Sequence, residues 1–327
     1  MTTPYTKPHL SYRAQLEQIK ARGLIVDDED SALWHIEKLG YYRLSGYFYP
    51  FRVLPPNMGA QPKRESNFVA DTSFSHISNL YKFDQALRLL AMDAVEKLEV
   101  ALRAKVAYHM GSLDPCAHLN SDLVNQKFCA TLAGRVGEAR RQSNFSTWVQ
   151  QHDKLVARSR EDFIQHFKTT YDPPIPLWVS IEVWDFGLLS HYFAGLRDKD
   201  KQLIASELRI PRHVLLASWL RTISHLRNIC AHHSRLWNRS MVDSPKPPAR
   251  NEVPLLEHLS GERNLFLRQH VYGAFAIIQF LLVAMGFDST WKQAFVTLIE
   301  KFPNVEGVAT LDAMGFPESW RDLALWN

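Results

Sequence analysis

Cysteine is scarce in this chain of 327 residues. Cys116, Cys129 and Cys230 stand far apart. That excludes a disulfide framework and the paired-thiolate spacing of a zinc site, and it fits a reducing compartment. The first residues, MTTPYTKP, lack the apolar core of a signal peptide, so the expected location is the cytoplasm. Long apolar runs are missing too. The nearest is residues 271–287, 17 residues without a charge, interrupted by Tyr272 and Gln279. A membrane span needs about 20 such residues, so this stretch is expected to be a buried core helix, with no membrane partner. Strand-like alternation, internal repeats and the G-x-S-x-G, G-x4-G-K-[ST] and G-x-G-x-x-G signatures are all absent, which removes the serine-hydrolase, P-loop and dinucleotide classes. Charge of one sign is not in large excess either. With 38 Lys and Arg against 34 Asp and Glu, a nucleic-acid partner is permitted but not demanded.

Helical periodicity is what the chain does have, and it predicts an all-α protein. Short helices are expected near residues 12–22 and 31–39, the second with Ser31 as N-cap behind the acidic run 27–30. Residues 41–51 are dense in aromatics, expected to serve core packing rather than base stacking, and a loop rich in Pro and Gly follows over 55–62. A long helix is predicted from Phe74 to Met110, where Leu80, Phe83, Leu87, Leu90, Ala94, Leu98 and Leu102 recur at three- and four-residue steps. A basic helical stretch covers 135–168, a further helix 177–193, and more helices 264–286 and 290–301, with a Pro-rich loop at 245–248 between them. Glu96, Glu99 and Arg103 are spaced for ion pairs.

The informative stretch is residues 218–239. Read as one helix at 100° per residue, it places Arg221, His225, Asn228, His232, Arg235 and Arg239 within about 40° of one line. Trp219, Ile223, Leu226, Cys230 and Trp237 fall on the opposite side. Histidine and asparagine are poor helix formers, so an ordinary solvated face would carry Glu, Lys and Gln instead. Residues 219–250 hold six Lys or Arg against one acid, Asp243, a local footprint suited to phosphate. His232 can take a proton from a ribose hydroxyl or give one to a leaving oxygen, because imidazole titrates near neutrality. The planar guanidinium of Arg227 can stabilise charge on phosphorus. No metal or other cofactor is expected, since Cys230, His232 and His233 cannot converge on one ion from one helix. His233 is expected to be a structural, at least half-buried histidine, and the similar Arg103-x5-His109 spacing to be coincidental.

From Arg227 to His232 the run RNICAH resembles the Arg-x(4–6)-His signature of HEPN ribonuclease domains. The segments 34–47, 84–88, 96–103 and 176–190 are similar, in the same order, to the abortive-infection family of Abi-like proteins. The resemblance covers about residues 7–240. It implies a HEPN-like helical bundle over 67–244 behind an N-terminal helical and aromatic segment at 1–66, and periodicity alone suggests a C-terminal helical extension at 245–327 packed on that core. It further implies metal-independent endoribonuclease activity in phage defence, with Arg227 and His232 as the catalytic pair and Asn228 as an auxiliary polar residue. An RNA substrate and a restraining antitoxin or regulatory RNA or protein would be the partners. Five helical residues separate Arg227 from His232 by about 140°, so one straight helix does not aim both at one phosphate. A homodimer with a composite site, or a local distortion, would resolve this. The competing expectation is a non-catalytic RNA-binding module using the same basic face, and a weaker one is nucleotidyl transfer to or from a partner.

Overall fold

The computed structural model describes residues 4–55, 63–131, 142–287 and 290–327. Its first helix, α1 (Tyr12–Ala21), starts where the Ser11 side chain accepts from the Ala14 N–H, and it buries Leu16 and Ile19. In α2 (Glu29–Leu39) the N-cap is Asp28, which accepts from the Ser31 N–H at 2.9 Å. Ser31 therefore receives the cap rather than providing it. Both residue types cap well, and the acids Glu29 and Asp30 suit the positive end of the helix dipole. Gly40, at a φ of 83°, turns the chain into α3 (Tyr41–Phe48), which buries Leu44, Tyr47 and Phe48. Tyr47, Phe48 and Phe51 of the aromatic segment are core, as expected, whereas Tyr42 and Tyr49 are exposed.

The spine is α4 (Phe74–Gly111), 38 residues and about 57 Å long. Its buried residues Leu80, Leu87, Ala91, Ala94, Leu98, Leu102 and Val106 keep the three- and four-residue step throughout. Beyond it lie α5 (Gln126–Cys129), α6 (Asn144–Arg158) and α7 (Asp162–Thr170). The basic stretch is therefore two helices where it is described, and its first residues, 135–141, lie outside the described residues, as do 56–62 of the Pro- and Gly-rich loop. The expected helix 177–193 is likewise broken. A short α8 (Leu177–Ser180) passes through a tight turn to extended Trp184, and α9 (Phe186–Gly195) starts afresh with Asp185 capping the Leu188 N–H at 2.8 Å.

Next come α10 (Asp198–Glu207) and α11 (His213–Ala231). Leu215, Leu216, Trp219, Leu220, Ile223 and Leu226 bury the apolar face of α11 against α4, α9, α10 and α13 (Val271–Ala284). Each such side chain contributes roughly 1.5–3 kcal/mol of burial before entropy is counted. Ahead of α13 sits the single turn α12 (Leu265–Gln269), and behind it α14 (Thr290–Glu300). The predicted helix 264–286 is interrupted at His270, where the backbone is extended. Gly273 permits the sharp corner, since a Cβ there would meet the Arg268 Cα at 2.8 Å. Every residue of α13 from Val271 to Leu282 is buried, so the charge-free run is core. No single helix among the described residues is long and apolar enough to cross a membrane. Among the described residues there is no β-strand, only isolated bridges, and the protein is all-α.

Candidate active site

Helix α11 stops at Ala231, short of the predicted Arg239. His232 caps it, and His233 adopts the left-handed conformation, with a φ of 53°. The His233 N–H donates to the Cys230 carbonyl at 2.9 Å and the Ser234 N–H to the Ile229 carbonyl at 3.0 Å. This pair of bonds closes the helix end in the manner usually built around glycine. Histidine is among the few other residues enriched in that conformation. His233 is exposed rather than buried, so the expectation for it is corrected: its contribution is to the backbone turn.

The chain beyond the turn is fastened from below. Asp84 of α4, 0% exposed, accepts the Leu236 N–H at 3.1 Å and the Trp237 N–H at 2.7 Å. The Tyr47 hydroxyl donates to the same carboxylate at 2.6 Å, and Arg88, 5% exposed, forms an ion pair with it. Burial pushes the Asp84 carboxyl up, while Arg88, Tyr47 and the two backbone N–H groups oppose that shift. Tyr47 is raised above the ordinary phenol range by burial and by the neighbouring carboxylate. Arg88 also reaches the Ser234 carbonyl at 3.4 Å, and Arg43 donates to the His233 carbonyl. The backbone just after His232 is therefore held by side chains of α3 and α4.

The polar stripe survives over part of its predicted length. Arg221, Asn228 and His232 are exposed, and His225 and Arg227 are half-buried. The Arg227 guanidinium donates to Asn228 Oδ1 at 3.3 Å. It also lies close enough to Glu99 to lower that carboxyl's pKa, which burial raises. The ring Nε2 of His225 is buried without a hydrogen-bond partner among the described residues. Arg235 does not join the stripe. Past the helix end it turns inward, donates to the Gly46 carbonyl, and its pKa is lowered by burial. Arg239 is exposed but also beyond the helix, so its position on the stripe is corrected as well.

Other titratable groups are spent on structure. Burial pushes the Cys230 thiol up to about 12. His118 and His152 sit in contact inside an aromatic cluster, and desolvation lowers them to about 3 and about 4. Arg103 pairs with Glu99 and the Trp184 carbonyl, while His109 pairs with Glu207 at 2.8 Å. Both members of the second Arg-x5-His spacing are thus engaged by neighbouring carboxylates. No cluster of three His, Cys, Asp or Glu side chains placed to hold a metal ion occurs among the described residues.

Fold and site together define a class: an all-helical protein whose long central helix anchors the end of a second helix, where arginine, asparagine and histidine face solvent. The sequence model of the Abi-like protein family matches residues 34–238, well over half of the chain, which therefore belongs to that abortive-infection family. The matched segment begins in α2 and ends just past Trp237, so it contains Asp84, the residues it fastens and the Arg227–His232 motif. No curated protein and no solved structure matches the chain.

Proposed function

We propose that this Abi-like protein is a metal-independent endoribonuclease of the HEPN type, acting as a toxin-like effector in abortive infection. In this reading His232 is the general acid/base, Arg227 stabilises charge on the scissile phosphate, and Asn228 orients a neighbour or binds the nucleotide. A positioned imidazole contributes about 10²–10⁴-fold to such a reaction. The ribose 2′-oxygen attacks the adjacent 3′-phosphorus as His232 accepts its proton; the P–O5′ bond then breaks and the protonated His232 gives that proton to the leaving 5′-oxygen. The products carry a 2′,3′-cyclic phosphate and a 5′-hydroxyl.

One observation carries this reading: the His232 imidazole is exposed, at a helix end tied down through Asp84, and makes no hydrogen bond among the described residues. Because about 140° of ideal helix separates Arg227 from His232, and no bond joins them, the site is proposed to be completed across a homodimer. An antitoxin or regulatory RNA or protein is the proposed restraint in uninfected cells.

The test is an RNA containing one 2′-deoxynucleotide at the mapped cut. Cleavage there should be abolished and EDTA should leave cutting of all-ribose RNA unchanged; continued cutting of the deoxy-substituted site refutes the mechanism. The second reading, a non-catalytic RNA binder, draws on the lack of any Arg227–His232 bond. It predicts that His232→Ala leaves toxicity unchanged.

A further inference from the structure

A cleft of about 510 Å³ opens between α5, α6, α9 and α11. It is lined by the exposed residues Lys127, Asn144, Gln151, His191 and Arg221 and by the half-buried Phe128. Among the described residues, none of the lining side chains is a carboxylate. Lys127, Asn144, Gln151, His191 and Arg221 make no side-chain hydrogen bond or ion pair among the described residues. Asp198, a carboxylate that feels Lys127, is already paired with Lys201 at 3.0 Å. Two cationic side chains, an imidazole, two amides and an aromatic ring therefore line one concavity.

We propose that this cleft is a nucleotide-binding subsite for single-stranded RNA. Lys127 and Arg221 take the phosphate, Asn144 and Gln151 read the base edge, and Phe128 supplies an apolar surface for the base. The volume is that of a small-molecule pocket, which admits one splayed nucleotide and not a duplex. An unpaired arginine suits phosphate through its planar fork. Position on α11 ties the cleft to the proposed centre. Arg221 precedes Asn228 by two near-whole turns, and His232 lies about 16 Å further along the helix axis from Arg221, so a strand running along the exposed face meets both. This subsite deepens the nuclease reading, but RNA binding can be measured without cleavage.

The experiment uses the full chain carrying His232→Ala and a fluorescein-labelled, mixed-sequence RNA of about 12 nucleotides, followed by anisotropy over a salt series. Binding should persist in that parent. Adding Arg221→Ala or Lys127→Ala should weaken it about tenfold, and each should reduce the slope of log affinity against log salt by about one. Arg221→Lys should restore the slope, whereas Gln151→Ala should weaken binding without changing it. Thermal melts check that these exposed substitutions leave the fold intact. Absence of RNA binding by the parent, or cleft variants that bind with the parent's affinity and slope, overturns the subsite. If the cleft variants weaken binding while the wild-type chain leaves RNA uncut, the subsite stands and the nuclease reading falls.

Discussion

The carboxylate of Asp84 is fully buried, and replacing it tests the account of how the helix end is anchored. Asp84 accepts from Tyr47, Arg88 and the N–H groups of Leu236 and Trp237, and every one of these neighbours is mainly a donor. Asp84→Asn keeps the shape but removes the charge, leaving the Arg88 guanidinium uncompensated at 5% exposure. Breaking a buried pair from one side costs about 3–5 kcal/mol. Asn retains one acceptor oxygen, so the expected loss is near the lower end, about 3 kcal/mol, in urea unfolding followed by tryptophan fluorescence. Replacing both partners, Asp84→Leu with Arg88→Met, removes the stranded charge yet orphans the Leu236 and Trp237 N–H groups. These cost about 1–3 kcal/mol each, so the double variant should not regain parental stability. Hydrogen exchange should rise selectively at residues 234–237. An Asp84→Asn protein within about 1 kcal/mol of the parent, with unchanged exchange at Leu236 and Trp237, would refute the anchoring role.

Three further outcomes are expected. His118 and His152 are lowered from the ordinary histidine value to about 3 and about 4, chiefly by burial, and the Trp184 indole donates to His152 Nδ1 at 3.0 Å. Their neutral forms are favoured in the fold, so stability is complete above about pH 6.5 and is lost as pH falls toward the folded values. At pH 5 the two together cost about 4 kcal/mol, visible as a lower urea midpoint than at pH 7; equal midpoints would contradict this. Mixing subunits bearing Arg227→Ala with subunits bearing His232→Ala should recover ribonuclease activity if the site is shared between copies; no recovery in verified mixed dimers excludes a composite site. Gly195→Ala should perturb the proposed RNA subsite, because the new Cβ would lie 2.5 Å from the Phe128 ring. Displacing that ring should weaken RNA binding in the anisotropy assay while leaving the salt slope alone.

What could be read in the sequence follows physical range. The long helix α4 was legible because local apolar periodicity and tertiary burial agree from Leu80 to Val106. The core identity of α13 was legible because a charge-free segment too short for a bilayer has few other places to go. The polar stripe through Arg221, Asn228 and His232 was legible because its opposite face is unambiguously apolar. Its end was not. Without glycine or proline to mark it, the turn at His233 left only a weak local signal, a histidine followed by Ser234. Arg235 and Arg239 were then carried onto a face that the backbone never builds. The break before α9 did have a signal, since Asp185 is a good N-cap, but the apolar residues on both sides mask it.

The anchor beneath the site lay beyond such reading altogether, because it joins positions 152 residues apart in the chain. Periodicity explains why Asp84 is on the inner face of α4, yet nothing local says that its partners are the amides after the histidine. That long-range link gives the helix end its significance. A solvated arginine, asparagine and histidine cost a fold little, whereas a buried carboxylate and guanidinium are expensive unless each donor and acceptor is matched. Here the matched groups fix the backbone immediately after His232, and catalytic side chains need support that holds them within about half an ångström of the working geometry. A merely basic RNA-binding face would tolerate looser ends, since phosphate contacts depend mainly on charge. A buried, matched network under the exposed His232 at the helix cap is therefore the support that the proposed proton transfer would need, whereas attraction alone would not need it.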